Sequence, residues 1–164
     1  MQEPTSAEII NNENDGKVIP VEAVPVLDPQ YIAERDDLFH AGVKAGAAAC
    51  HEAAATWWID KKTGQDVRTW PKHFFDLWIS AKLMLVVSEV SEANEGLRKD
   101  KMDDHLPHRK MLEVELADTV IRVFDLAGGL KLDLAGAITE KLEYNAHRAD
   151  HKPENRAKEG GKSF

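Results

Sequence analysis

Apolar residues recur at helical spacing in four stretches of the chain, and none of them alternates with the two-residue period of a strand. The first stretch follows Asp28-Pro29, a capping residue and then a proline at the first helical position. It predicts a helix from about Pro29 to about Trp58. Gly42 and Gly46 mark a candidate break within it. The polar "IDKKTGQDVRT" reads as a loop, and Thr69 to Pro71 opens a second helix reaching about Leu97. Phe75, Ile79, Val86, Val90, Ala93 and Leu97 share one face of that helix. After a loop around Pro107, a third helix is expected from about Arg109 to Ala127, stopped by Gly128-Gly129. Asp133 caps a fourth, which reaches about Arg148. Residues 1–28 are polar and broken by proline, which predicts a flexible arm, and residues 151–164 form a basic, Gly-containing tail. The fold class expected for residues 29–150 is all-α, a four-helix-bundle-like domain.

Two of these helices carry columns of carboxylates beside faces that need a core. With successive residues about 100° apart, Glu89 and Glu92 flank the apolar stripe of the second helix, while Glu95 leans toward solvent. On the third helix Leu112, Leu116, Val120, Ile121, Val123, Phe124 and Ala127 cover most of the circumference. That helix is expected to be nearly enclosed. Its remaining strip holds Glu115, Asp118, Arg122 and Asp125. Carboxylates on an enclosed helix are costly unless paired or metal-bound, and Arg122, one turn after Asp118, offsets part of that cost. Glu89, Glu92, Glu115 and Asp118 are therefore candidate metal ligands, the plainer account being solvated faces at the surface of a bundle. An oxygen-only set of this kind favours Mg²⁺, with Mn²⁺ as a substitute. The fourth helix supplies positive charge. Lys141, Asn145 and Arg148 lie within about 60° of one another around it, with Tyr144 beside them, a column suited to phosphate oxygens. The plainer account of that column is a basic final turn facing the helix dipole.

Composition narrows the class. A net charge of −8 speaks against general nucleic-acid binding, which draws most of its affinity from basic surface. The longest apolar runs are too short for a membrane span, and the N-terminus has no basic-then-apolar signal segment, so a cytoplasmic protein is expected. Its single cysteine, Cys50, excludes an internal disulfide. Trp57, Trp58, Trp70 and Phe74 are candidates both for stacking on a base and for core or subunit contacts.

The residues "EVSEANEG" and then "ELAD" resemble the ExxE…ExxD signature of the MazG-like all-α nucleoside triphosphate pyrophosphohydrolases. "ATWWID" is similar to a "GWWD" segment of small, often phage-encoded members. "ADTVIRVFDLAGGLKLDLAGAI" resembles their third helix, and "EKLEYNAHR…GGKSF" resembles their ending. The likeness runs from about Phe39 to Phe164. In the tail, "KEGGK" stands where a His often precedes the glycines.

The resemblance implies hydrolysis of an NTP or dNTP to the monophosphate and pyrophosphate, with Mg²⁺ held by Glu89, Glu92, Glu115 and Asp118. It implies a nucleotide site that includes Lys141, Tyr144, Asn145, Arg148 and Trp58, in a homodimer or homotetramer. A phosphoribosyl-ATP pyrophosphohydrolase-like enzyme is the near rival. A helical assembly protein with a merely solvated acidic stripe is the non-enzymatic one. A di-iron bundle is disfavoured because Glu-x-x-His pairs are absent.

Overall fold

A computed structural model describes residues 29–148, so the expected arm at 1–28 and tail at 151–164 lie outside the described residues. The chain divides into two compact units after Arg35, and the packing below is that of residues 36–148. Four α-helices account for most of it: α1 (Pro29–Ala54), α2 (Lys72–Lys99), α3 (Met111–Leu130) and α4 (Leu134–His147). Short 3₁₀ turns occupy Ala55–Trp58 and Val67–Thr69. The described residues contain no strand, only two isolated bridges that pinch the loops, Ile59 to Asp66 and Met102 to Lys110. The all-α expectation holds for them. None of their helices is long and apolar enough to cross a membrane.

Two expected interruptions do not occur, for one steric reason. α1 runs unbroken through Gly42 and Gly46, and a Cβ on Gly46 would sit 2.5 Å from the Phe124 ring of α3. Likewise α3 continues through Gly128-Gly129 to Leu130. A Cβ on Gly128 would lie 2.7 Å from the Ala47 carbonyl oxygen, and one on Gly129 would lie 2.0 Å from the Trp58 ring. These glycines let α1 and the indole approach α3 closely. The stop falls later, at Lys131 (φ 56°), whose N–H donates to the carbonyls of Ala127 and Gly128. Asp133 then caps α4 as expected, its side chain accepting from the Gly136 N–H.

The core gathers where α1 gives way to its 3₁₀ turn. Trp58 is 0% exposed, with Val67 and Leu126 buried beside it and Trp70, Phe75, Trp78, Ile79 and Leu130 packed around them. The Trp58 and Trp78 ring centroids are 4.6 Å apart. Burial of this kind stabilises by roughly 1.5–3 kcal/mol per large side chain. Two expectations about burial need correction. Val90 and Leu97 do not belong to the buried stripe of α2, since both are exposed, while Glu89, Ala93 and Gly96 are buried. Nor is α3 enclosed by its own chain, because Leu116, Val120 and Ile121 are each nearly half exposed. The inward face of α2 is turned toward its carboxylates.

Candidate metal centre

α2 and α3 pack side by side as an antiparallel pair. The turn between them is held by Asp103, a buried carboxylate whose Oδ1 accepts from the N–H groups of His105 (2.9 Å) and Leu106 (2.5 Å). The Lys101 and Met111 N–H groups close it with hydrogen bonds to Gly96 O and Lys101 O, each at 3.0 Å. At that end a Cβ on Gly96 would meet Met111 Cβ at 2.9 Å, so the helices run in close contact. This contact sets the register that brings their carboxylates to one level.

Glu89 and Glu92 from α2 and Glu115 from α3 each offer an oxygen, and these oxygens lie within 4.8 Å of one another. Glu89 and Glu115 are buried and Glu92 is exposed, so the cluster opens to solvent on one side. The Glu115 carboxyl is pushed up to about 7 from an ordinary 4.5. Burial is the largest cause, followed by its hydrogen bond to Glu89 and the negative charges of Glu92, Glu89 and Asp118. Asp118, a turn further along α3, is half-buried and adds its charge to Glu115, but it is not one of the three whose oxygens converge. Arg122 does not serve Asp118. Its guanidinium crosses to α2, with Nε 2.6 Å and Nη2 2.5 Å from the same oxygen, Glu89 Oε1. A converging set of carboxylate oxygens with no nitrogen or sulfur fits a hard divalent cation, which would relieve the crowding that raises Glu115.

No family model matches the chain, and neither does any curated protein or solved structure.

The nucleotide-site candidates divide. The fourth helix stops at His147, so Arg148 is the extended residue after it and not part of its face; Lys141 Nζ of α4 lies 4.6 Å and Arg148 Cζ 5.9 Å from the centroid of the exposed Tyr144 ring. Asn145 Oδ1 is shielded from solvent and has no hydrogen-bond partner among the described residues. Trp58 requires a correction. It presents no free face for a base, because core rings enclose it and its indole N–H donates to Asp125 Oδ1 at 2.7 Å. Trp57 and Phe74 are the exposed aromatics near it in sequence.

The Asp125 group is a second polar cluster that sequence reasoning did not assemble. Asp125 is buried in α3, and Oδ1 also lies 3.0 Å from His51 Nδ1 of α1. Its Oδ2 lies 3.6 Å from Lys82 Nζ of α2. A buried carboxylate needs such partners. The signals were present, with His51 seven residues before Trp58 and Lys82 set among the inward positions Ile79 and Val86. Nearby, burial and the Asp125 charge push the Cys50 thiol above its ordinary value, which speaks against a reactive thiolate.

Proposed function

We propose that the protein is a divalent-metal-dependent nucleoside triphosphate pyrophosphohydrolase of the MazG-like type, converting an NTP or dNTP to its monophosphate and pyrophosphate. The observation that carries this reading is the convergence of Glu89, Glu92 and Glu115 from two helices to within 4.8 Å, with Glu115 raised to about 7 by burial first and by its carboxylate neighbours second. Structural ion pairs alone would not favour three like charges at such separation.

In this reading Glu89, Glu92 and Glu115 hold Mg²⁺, and Asp118 supports it from one turn away. When bound, the ion would supply charge neutralisation for the triphosphate and a water of lowered pKa. The chain's own residues provide the rest. A carboxylate of the cluster accepts the proton of the attacking water. Lys141 and Arg148 bind phosphate oxygens and favour charge leaving with pyrophosphate. Asn145 orients a phosphate by donating from its amide N–H, or the sugar by accepting from a hydroxyl at its unengaged carbonyl oxygen. The exposed apolar side chains of α2 and α3 support a dimer or a dimer of dimers.

Glu92→Gln and Glu115→Gln test the assignment. Each removes one anionic ligand while keeping the side chain's shape. Both variants are expected to keep their helical circular dichroism and to lose metal-dependent turnover by about a hundredfold or more, on the order of 3 kcal/mol in transition-state stabilisation. A variant that turns over at the wild-type rate removes that residue from the metal site.

A further inference from the structure

We infer that Arg122 is a displaceable counter-ion of the carboxylate cluster: it occupies Glu89 when metal is absent, and it turns to the phosphates of the ligand once a divalent cation takes Glu89. The inference rests on the metal reading of that cluster. Its warrant is the geometry of the pair. Two of the three guanidinium nitrogens, Nε and Nη2, approach the same oxygen, Glu89 Oε1, rather than forking across the two carboxylate oxygens. The cation thus meets one oxygen with its Nε–Nη2 edge, and Glu89 belongs to the set that converges with Glu92 and Glu115. A metal drawing on Glu89 competes with the guanidinium for the same charge.

The two ends of the pair differ in exposure. The Glu89 side chain is 7% exposed and that of Arg122 is 40% exposed. The carboxylate is fixed in the helix interface, while the guanidinium has solvent on one side and room to leave. Lys82 is a useful contrast, since its side chain is only 18% exposed where it pairs with Asp125, itself 8% exposed. Arg122 therefore combines two properties, contact with the cluster and freedom to move away from it. A guanidinium released beside bound metal meets phosphate oxygens with several N–H donors in a plane.

Calorimetric titration with Mn²⁺ alone, and then with inorganic pyrophosphate in the presence of Mn²⁺, tests this on the full chain. Arg122→Gln is expected to bind Mn²⁺ roughly five- to tenfold more tightly, since a competing positive charge within a few ångströms is gone. The same variant is expected to bind pyrophosphate about tenfold more weakly. Mn²⁺ affinity equal to or below wild type, or undiminished pyrophosphate affinity, overturns the inference while leaving the metal site standing. A wild-type protein that binds no Mn²⁺ overturns the metal reading itself, and this inference with it. Should Arg122→Gln not fold, the wild-type protein carries the test. The Arg122 Nε–H resonance, assigned by its loss in Arg122→Lys, is expected to shift on Mg²⁺ addition and again on pyrophosphate addition. A resonance that saturating Mg²⁺ leaves in place overturns the inference.

Discussion

Glu115 is the residue whose environment departs furthest from that of a free side chain, and the departure has a consequence for stability. Its carboxyl titrates near 7 in the folded protein, against an ordinary 4.5, for want of solvent and because neighbouring carboxylates repel its charge. Between those values the native state keeps a proton that the unfolded chain has released. Without metal, stability therefore falls as pH rises from about 4.5 to about 7 and stays lower above that. Glu115→Gln cannot titrate and escapes this loss. Melting curves in chelator should show the variant gaining on the wild type between pH 5 and pH 8. An equal difference in melting temperature at both pH values would contradict the crowding described here. Glu89, Glu92 and Glu115 were legible in the sequence because i,i+3 spacing on two helices announces a shared face. The partner of Arg122 was not legible, since intrahelical spacing pointed to Asp118 and only the register between α2 and α3 selects Glu89.

At the scale of elements, the four helices of the described residues and the loops between them follow from apolar periodicity and, for α4, from the Asp133 cap. Where helix ends and breaks were misplaced, glycine was the cause. Gly46, Gly128 and Gly129 look like helix breakers, yet they sit inside helices where another helix or an indole presses on the backbone. Composition alone cannot separate a glycine that ends a helix from one that admits a neighbour. The difference lies in tertiary contacts from Phe124, Ala47 and Trp58. The inward face of α2 was misplaced for a related reason. Val90 and Leu97 are apolar and Glu89 is charged, so a hydrophobicity pattern turns the helix the wrong way. Glu89 turns inward to its Arg122 partner from α3, and Val90 and Leu97 are left facing outward. Trp58 fits the same pattern, an aromatic that suits a base on composition but is claimed by the core and by Asp125.

The whole molecule leaves unusually much apolar surface on its central helices. Leu77 is 65% exposed and Leu97 62%, and Met84, Val87, Val90, Leu116, Val120 and Ile121 are also exposed on the same two helices. Monomers rarely leave so many large apolar side chains exposed on two adjacent helices, and a second copy is the occupant that the proposed function favours. Sedimentation at micromolar concentration should give a species of at least twice the 18.3 kDa chain mass. A lone monomer at that concentration would refute the association. The central claim concerns chemistry, and the products decide it. The protein should be incubated with Mg²⁺ and each canonical NTP and dNTP in turn, and the phosphorus species resolved by ³¹P NMR. The account predicts that at least one nucleotide yields monophosphate and pyrophosphate in equal amounts, and that chelator abolishes the reaction. Intact triphosphates throughout, or release of orthophosphate with nucleoside diphosphate, would contradict it.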